Sequence, residues 1–285
     1  MPALSNFLSN AVEKLLFHPV TIAHAETIGG RFRRVHLQGE VFKGAKWVPG
    51  QAVQFYLGNL TKRAYTPMEM EPDEGSAEFL FYMHGGGPGS RWAGSLKTGD
   101  GCKVMRPKDS LDFTNFEGSA IFFGDETSMA AAYALQSCRR ADARPRYVLE
   151  VTSAAEAKSV ADRLGLEDVT LYQRTSEGEH LEGVVKKLAQ GAGSDSEGSE
   201  DSDKTDRYEE SVSQWIFTGQ ARSIQRVQKG LRELGVEVRR SKVRLIGLQG
   251  RLEWIDRRCV RTGSLSALAT KSLFQLSEPR NAHWR

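Results

Sequence analysis

Apolar and polar positions follow two different rhythms along this chain, and the change between them divides it. From about Val20 to Asp109 the text is short stretches of period two broken by turn residues. RFRRVHLQG alternates basic with apolar positions, as a half-exposed strand does. TIAHAETIGG ends in a glycine pair, and WVPGQAVQFYLG is strand text entered through Pro49-Gly50, a favoured turn pair. Glu71 to Gly75 connects KRAYTP to EFLFYMHG. LKTGDGCKVMRP and SLDF complete the region, with one helix near residues 90–96. Short strands joined mostly by hairpins predict a small antiparallel β-barrel over residues 18–115.

The rhythm changes after Phe116. SAIFFGDETS is a continuous apolar run that ends at Gly124, with a helix start at Thr127 or Ser128. The helix MAAAYALQSCRR follows, then RYVLEVTS, AAEAKSVADRLGL, VTLYQRTSEG, HLEGVVKKLAQG, WIFTGQA, RSIQRVQKGLRELG and VEVRRSKVRLIGL, strand and helix in turn. This alternation predicts right-handed βαβ units and a parallel-sheet, nucleotide-binding α/β domain over residues 116–250. Ligands of such a sheet bind beyond the carboxyl ends of its strands. Three segments stand apart. Residues 1–17 contain a weakly amphipathic helix, Ser5 to Phe17. Residues 191–210, GAGSDSEGSEDSDKTDRYEE, are too polar to offset the entropy of ordering and predict a disordered acidic insertion. Residues 251–285 are a basic extension, either a helix packed on the body or a partly ordered tail.

Composition changes this picture only at its margins. The 285 residues suffice for two domains, and 39% hydrophobic with 26% charged residues suits a globular protein. A net charge of +3 is too small to argue for nucleic acid. With the acids concentrated near 195–210, the remainder is more basic, which mildly favours an anionic ligand. Cys102, Cys138 and Cys259 are far apart and form no CxxC pair, against a zinc ribbon or a cysteine-held cluster. No metal site is expected, and the thiols suit a reducing cytoplasm. No apolar run approaches the roughly 18 residues of a membrane span, and the N-terminus has no secretory pattern. A monomer in the cytoplasm is the expectation.

The candidate chemistry lies between Arg63 and Asp100. An extended RAYT places Arg63 and Tyr65 on one face of a strand, a cation and a ring side by side. Downstream, Gly86-Gly87-Pro88-Gly89 runs into Ser90 at the start of a helix, with Ser90 in a position to cap it. Free backbone N–H groups at a helix start are a ready anion site. Together the two pieces look like a pocket for a flavin dinucleotide, ring at one end and pyrophosphate at the other.

In this order, ahead of a parallel α/β domain, the chain resembles the siderophore-interacting proteins. These are FAD-dependent ferric-siderophore reductases within the ferredoxin–NADP reductase superfamily. The likeness spans roughly residues 18–250. It is carried by Arg63-Ala64-Tyr65-Thr66, by His84-Gly85 through Pro88-Gly89-Ser90-Arg91-Trp92-Ala93, by Gly99-Asp100 and by Gly124-Asp125-Glu126-Thr127. The resemblance implies that Arg63 neutralises the FAD pyrophosphate, with Ala64 in the same element. Tyr65 would lie along the isoalloxazine, and Thr66 would hydrogen-bond near the ring nitrogen that takes the hydride. Gly86, Gly87, Gly89 and Ser90 would hold the other side of the pyrophosphate. His84 either contacts the flavin or is satisfied by backbone at a strand end, and Arg91 and Trp92 equally suit covering the barrel. In the second domain, Thr127 would suit a cofactor phosphate and Asp125 would orient the nicotinamide or ribose. Arg174 either meets the adenosine ribose or its 2′-phosphate, favouring NADPH over NADH, or is an ordinary surface arginine. Gly219, in Thr218-Gly219-Gln220, would let the nicotinamide approach.

Two departures concern the substrate side. Pro67-Met68-Glu69 stands where the family often carries an arginine, and Gly247-Leu248-Gln249-Gly250 stands where it has an aromatic pair. Arg239, Arg240, Lys242 and Arg244 either form a solvated strand face or meet an anionic chelate. The implied activity passes electrons from NAD(P)H through FAD to a ferric siderophore, releasing Fe(II). Two alternatives are a general NAD(P)H–flavin oxidoreductase with another acceptor, and a non-catalytic flavin-binding protein.

Overall fold

The computed structural model describes residues 16–246 except 59, 60, 109, 115, 117, 142, 193–213, 239 and 240. The expected helix at residues 5–17 falls almost wholly outside the described residues, as do most of the acidic insertion and the basic extension.

Gly29 and Gly30 both adopt positive φ, 57° and 76°, and turn β1 (His18–Ile28) back on β2 (Phe32–Gln38). There follow β3 (Val53–Tyr56), β4 (Lys62–Tyr65), β5 (Pro67–Glu71), β6 (Ser76–Tyr82), α1 (Pro88–Ser95) and β7 (Gly101–Val104). These seven strands form one sheet in the order β4-β3-β7-β1-β2-β6-β5, paired antiparallel throughout. The sheet is curled. Phe55 on β3 and Phe79 on β6 are four places apart in the strand order, yet their rings meet edge-on at 4.9 Å. The two outermost strands, β4 and β5, are consecutive in sequence and joined at Thr66, so the chain itself closes the curl. The expected strand at SLDF is a correction. Leu111 and Phe113 are buried but irregular, held by backbone bonds to Gly50 and Pro49 rather than by a ladder.

The second domain is a five-stranded parallel sheet of order β10-β9-β8-β11-β12. Its strands are β8 (Ser119–Asp125), β9 (Arg144–Val151), β10 (Val169–Gln173), β11 (Gln214–Gln220) and β12 (Ser241–Ile246). Every residue of β8 is buried, as the central strand of such a sheet requires. Helices α2 (Met129–Cys138) and α3 (Ala154–Arg163) cover one face. Helices α4 (His180–Ala192) and α5 (Ala221–Glu233) cover the other with Val184, Leu188, Val227 and Leu231. The chain runs outward from β8 to β9 and β10, then returns to the opposite side of β8 for β11. A topological switch point therefore lies between β8 and β11, where the crevice for a ligand opens.

The two domains share a core. Ile28, Phe32, Met68 and Leu80 of the barrel pack in one cluster with Phe122, Met129, Leu135 and Val160 of the second domain. Polar contacts flank it: Arg31 pairs with Glu156 at 2.8 Å, and the Tyr133 hydroxyl donates to Glu69 at 2.7 Å.

Candidate active site

Strand β4 brings Arg63 opposite Phe55 and Tyr65 opposite Val53 on β3. The Arg63 guanidinium donates to the Lys62 carbonyl at 2.8 Å and, among the described residues, pairs with no carboxylate. Tyr65 does not present an open ring. Its ring sits edge-on against Phe81 at 4.6 Å and Phe55 at 5.5 Å, within the barrel's aromatic cluster. Burial pushes its phenol up to about 12. Trp92 of α1 meets the same two phenylalanines at 5.5 and 5.4 Å, which fastens the helix to the barrel beside Tyr65.

Two glycines at the start of α1, Gly87 and Gly89, stand where a side chain would collide, whereas Gly86 faces open space. A Cβ on Gly89 would lie 2.7 Å from the Tyr65 hydroxyl and 3.7 Å from Arg63 Cγ, so Arg63, Tyr65 and the helix start share one neighbourhood. A Cβ on Gly87 would lie 2.9 Å from the His84 ring, which lies across the turn. The expected capping role of Ser90 is a correction: Gly87 is the cap and Pro88 the first helical residue. Proline pre-sets the helical φ and needs no N–H partner there, so the helix starts ahead of Ser90. Ser90 is instead buried in the first turn, and its hydroxyl has no partner among the described residues. A helix start without a side-chain cap, a buried hydroxyl with no partner among the described residues, an arginine with none there beyond the Lys62 carbonyl, and a close approach at Gly89 form a donor set that suits a diphosphate. These residues fit FAD.

Thr66, buried between β4 and β5, accepts a hydrogen bond from Arg244 of β12. The solvated-face reading of Arg244 is therefore corrected. The side chain is 5% exposed, because β12 is the edge strand that lies against the barrel. Lys242, one alternation earlier, reaches the Asp112 carbonyl.

At the switch point the chain fills its own helix start. Asp125 accepts from the Thr127 amide at 2.9 Å, from the Thr127 hydroxyl and, at 3.3 Å, from the Ser128 hydroxyl. The Thr127 amide, expected to suit a phosphate, is thus occupied by the protein's own carboxylate. Burial raises Asp125 to about 6, against the pull of Thr127 and Arg174. Gly219 has φ +108°, and a Cβ there would stand 2.6 Å from Asp125 Oδ2, so glycine lets β11 pass this carboxylate.

Arg174 follows β10, as expected, but turns inward. It donates to both oxygens of Glu126 at 2.9 and 2.8 Å and to the Thr152 hydroxyl at 3.1 Å. Asp125 and Glu150 lie 3.9 and 3.7 Å away. Burial pushes Glu126 up, but Arg174 and the Thr152 amide outweigh it and hold the carboxyl below its usual range. His180, at the start of α4, bonds Glu150 at 2.9 Å. Glu150, Thr152 and His180 escaped the sequence reading, although a glutamate inside the apolar run RYVLEV was a visible anomaly. One guanidinium faces three buried carboxylates here. Such a cluster accepts hydroxyl donors, as on a ribose, more readily than it accepts a phosphate.

Residues 56–111, which span β4, the glycine turn and α1, match the family described as the Siderophore-interacting FAD-binding domain. The match is confined to this segment of the first domain. Among solved structures it is similar to the siderophore-interacting protein SipS from Aeromonas hydrophila. That match has 20% identity and TM-score 0.60, covering 80% of this chain and 89% of the other. A siderophore utilization protein from T. fusca matches at 18% identity and TM-score 0.60, covering 85% and 96%. The siderophore-interacting protein from Acinetobacter baumannii matches at 16% and 0.59, covering 91% and 99%. At these identities the likeness is one of fold. No curated protein matches the chain. The architecture shared with these solved structures is an antiparallel curled sheet followed by a parallel-sheet α/β domain. No helix among the described residues is long and apolar enough to cross a membrane.

Proposed function

We propose that the protein is a FAD-dependent reductase that takes hydride from a nicotinamide dinucleotide and passes the electrons to a ferric siderophore, releasing iron as Fe(II). The observation that carries the reading is the start of α1, with Gly89 closed to any side chain, Ser90 buried and unpartnered, and Arg63 alongside. The similarity to siderophore-interacting proteins supports the acceptor class. Arg63, the open amides of α1 and Ser90 would hold the pyrophosphate. Thr66 and the part of Tyr65 left accessible by the aromatic cluster would line the ring, whose chemistry converts a two-electron donor into one-electron steps. The shared core between the domains keeps the two cofactor sites in register and excludes water from the seam.

For the donor, the reading reverses the sequence expectation. Arg174 is matched by carboxylates and Asp125 occupies the Thr127 amide, so a 2′-phosphate would enter a negative field. NADH is the proposed donor. Cys102 and Cys138 are free thiols, in keeping with a cytoplasmic setting.

The test is single-turnover reduction of the FAD-loaded protein with NADH or NADPH, followed by reoxidation with ferric siderophores. Flavin bands, faster bleaching by NADH and recovery by at least one ferric siderophore are expected. Absence of FAD uptake would remove the enzyme reading, and failure with every ferric chelate would remove the acceptor. One observation favours a different acceptor for the same reductase. Glu69, where the family often carries a cation, is an anion tied to Tyr133. Reoxidation by a ferredoxin or a quinone in place of ferric chelates would identify that case.

A further inference from the structure

Two arginines in this protein, Arg174 partly buried and Arg244 buried, are treated in opposite ways. Arg174 is surrounded by Glu126, Glu150 and Asp125. Arg244 is more deeply buried, at 5% exposure, and has no carboxylate partner among the described residues. Its guanidinium donates to the Thr66 hydroxyl, and its Nε is buried without any partner. Desolvation alone drags it down to about 10, with no opposing charge to restore it. A guanidinium has five N–H donors in a fixed fork, and one neutral hydroxyl leaves most of that capacity unused. A buried, unpaired cation is costly to keep, and such groups concentrate at functional sites.

The place is informative. Thr66 directly follows Arg63-Ala64-Tyr65 on β4, and Arg244 comes from the other domain, opposite Thr218 on β11. The cation thus stands where barrel and nucleotide domain meet, beside the residue assigned to the flavin ring.

We propose that Arg244 is a positioning residue that sets the flavin's redox potential, its charge favouring the reduced ring over the oxidised one. The inference rests on the flavin reading above. Hydride uptake from the donor, which leaves as its oxidised cation, adds one negative charge to the ring. Delivery of the two electrons to two ferric ions, with loss of one proton, removes that charge. A cation held in a dry seam by β12 acts on this difference without taking part in either transfer.

The experiment is a spectroelectrochemical titration of the FAD-loaded wild type, R244Q and R244K, with FAD stoichiometry and thermal melting measured on each. R244Q keeps a donor for Thr66 and removes the charge. It is expected to disfavour the reduced state about tenfold, the scale of one partly screened charge interaction, or about 30 mV for a two-electron couple. R244K is expected to recover most of that shift. R244M is made in parallel, so that a glutamine variant that does not fold still leaves a neutral side chain to measure. A neutral variant that binds FAD at the wild-type potential overturns the inference, as does a lysine variant that shifts as far as the neutral ones. Wild-type protein that takes up no FAD instead removes the flavin reading itself, and this inference with it.

Discussion

At Ser90 a polar atom is buried without a protein partner, which a folded chain rarely tolerates without use. Ordinary structural serines lose stability when truncated because a hydrogen bond is lost. Ser90 has none to lose, so Ser90→Ala is expected to leave the apo-protein's melting temperature unchanged or slightly higher. In the same variant FAD affinity should fall by about five- to tenfold, the value of one hydrogen bond, as read by fluorescence titration. Arg63→Ala is expected to weaken FAD retention further, by tenfold or more, because it removes a charge-assisted contact. Arg63 is only partly buried and pairs with no carboxylate among the described residues, so the apo-protein should melt as the wild type does. Wild-type FAD retention in this variant would contradict its pyrophosphate role. The residue scale also sets what a reader of the sequence could see. RAYT and GGPGS mark the proposed flavin site because glycine, proline and arginine announce their backbone and charge roles locally. The burial of the Ser90 hydroxyl depends on Trp92 seating the helix against Phe55 and Phe81, which no local pattern expresses.

At the scale of the element, the strand ends of β8, β9 and β10 are held by one ion cluster. Glu126 bridges the Thr152 amide after β9 and Arg174 after β10. Glu126→Gln is expected to destabilise the protein by about 3 kcal/mol at neutral pH, since it leaves Arg174 with only the longer contacts to Asp125 and Glu150. The sign with pH follows from the direction of the shift. Glu126 is held below its unfolded value, so its stabilisation is present above pH 4.5 and fades as pH falls through its lower folded value. Urea unfolding at pH 7 and again near pH 4 should show the gap between variant and wild type narrowing. Asp125 runs the other way: raised from 3.8 to about 6, it makes the fold less stable as pH rises through that interval. The elements themselves were legible, because βαβ alternation and hairpin turns are periodic signals. What the cluster does was not. GDET and QR were visible as candidate nucleotide contacts, but Arg174 and Glu126 are 48 residues apart. Their pairing follows from the parallel register of β8, β9 and β10, not from spacing. The same holds for Arg244: alternation in SKVRLI marks a strand face, and only the edge position of β12 against the barrel decides that the face is buried.

At the scale of the whole molecule, the seam distinguishes one cooperative body from two domains on a linker. Interfaces between loosely coupled domains are modest and polar. Here the barrel contributes Ile28, Phe32, Met68 and Leu80 to the same apolar cluster that α2, α3 and β8 bury. Met68 is 1% exposed and lies on β5, next to the Thr66 junction that closes the barrel. Met68→Ala should therefore act on both domains at once. The expected loss is about 2–5 kcal/mol, the range for emptying a buried methionine site, taken from a single transition. Far-UV circular dichroism reports mainly the helices, which among the described residues belong to the second domain apart from α1. Fluorescence of Trp47 and Trp92 reports the barrel; Trp215→Phe silences the second-domain indole, and Trp254→Phe and Trp284→Phe silence those beyond the described residues. In that background the two probes should give one coincident urea midpoint, and Met68→Ala should lower both by the same amount. Separate midpoints, or a shift confined to the barrel probe, would show that the seam is a contact between independent units. The positioning assigned to Arg244 would then lack the rigid frame it requires.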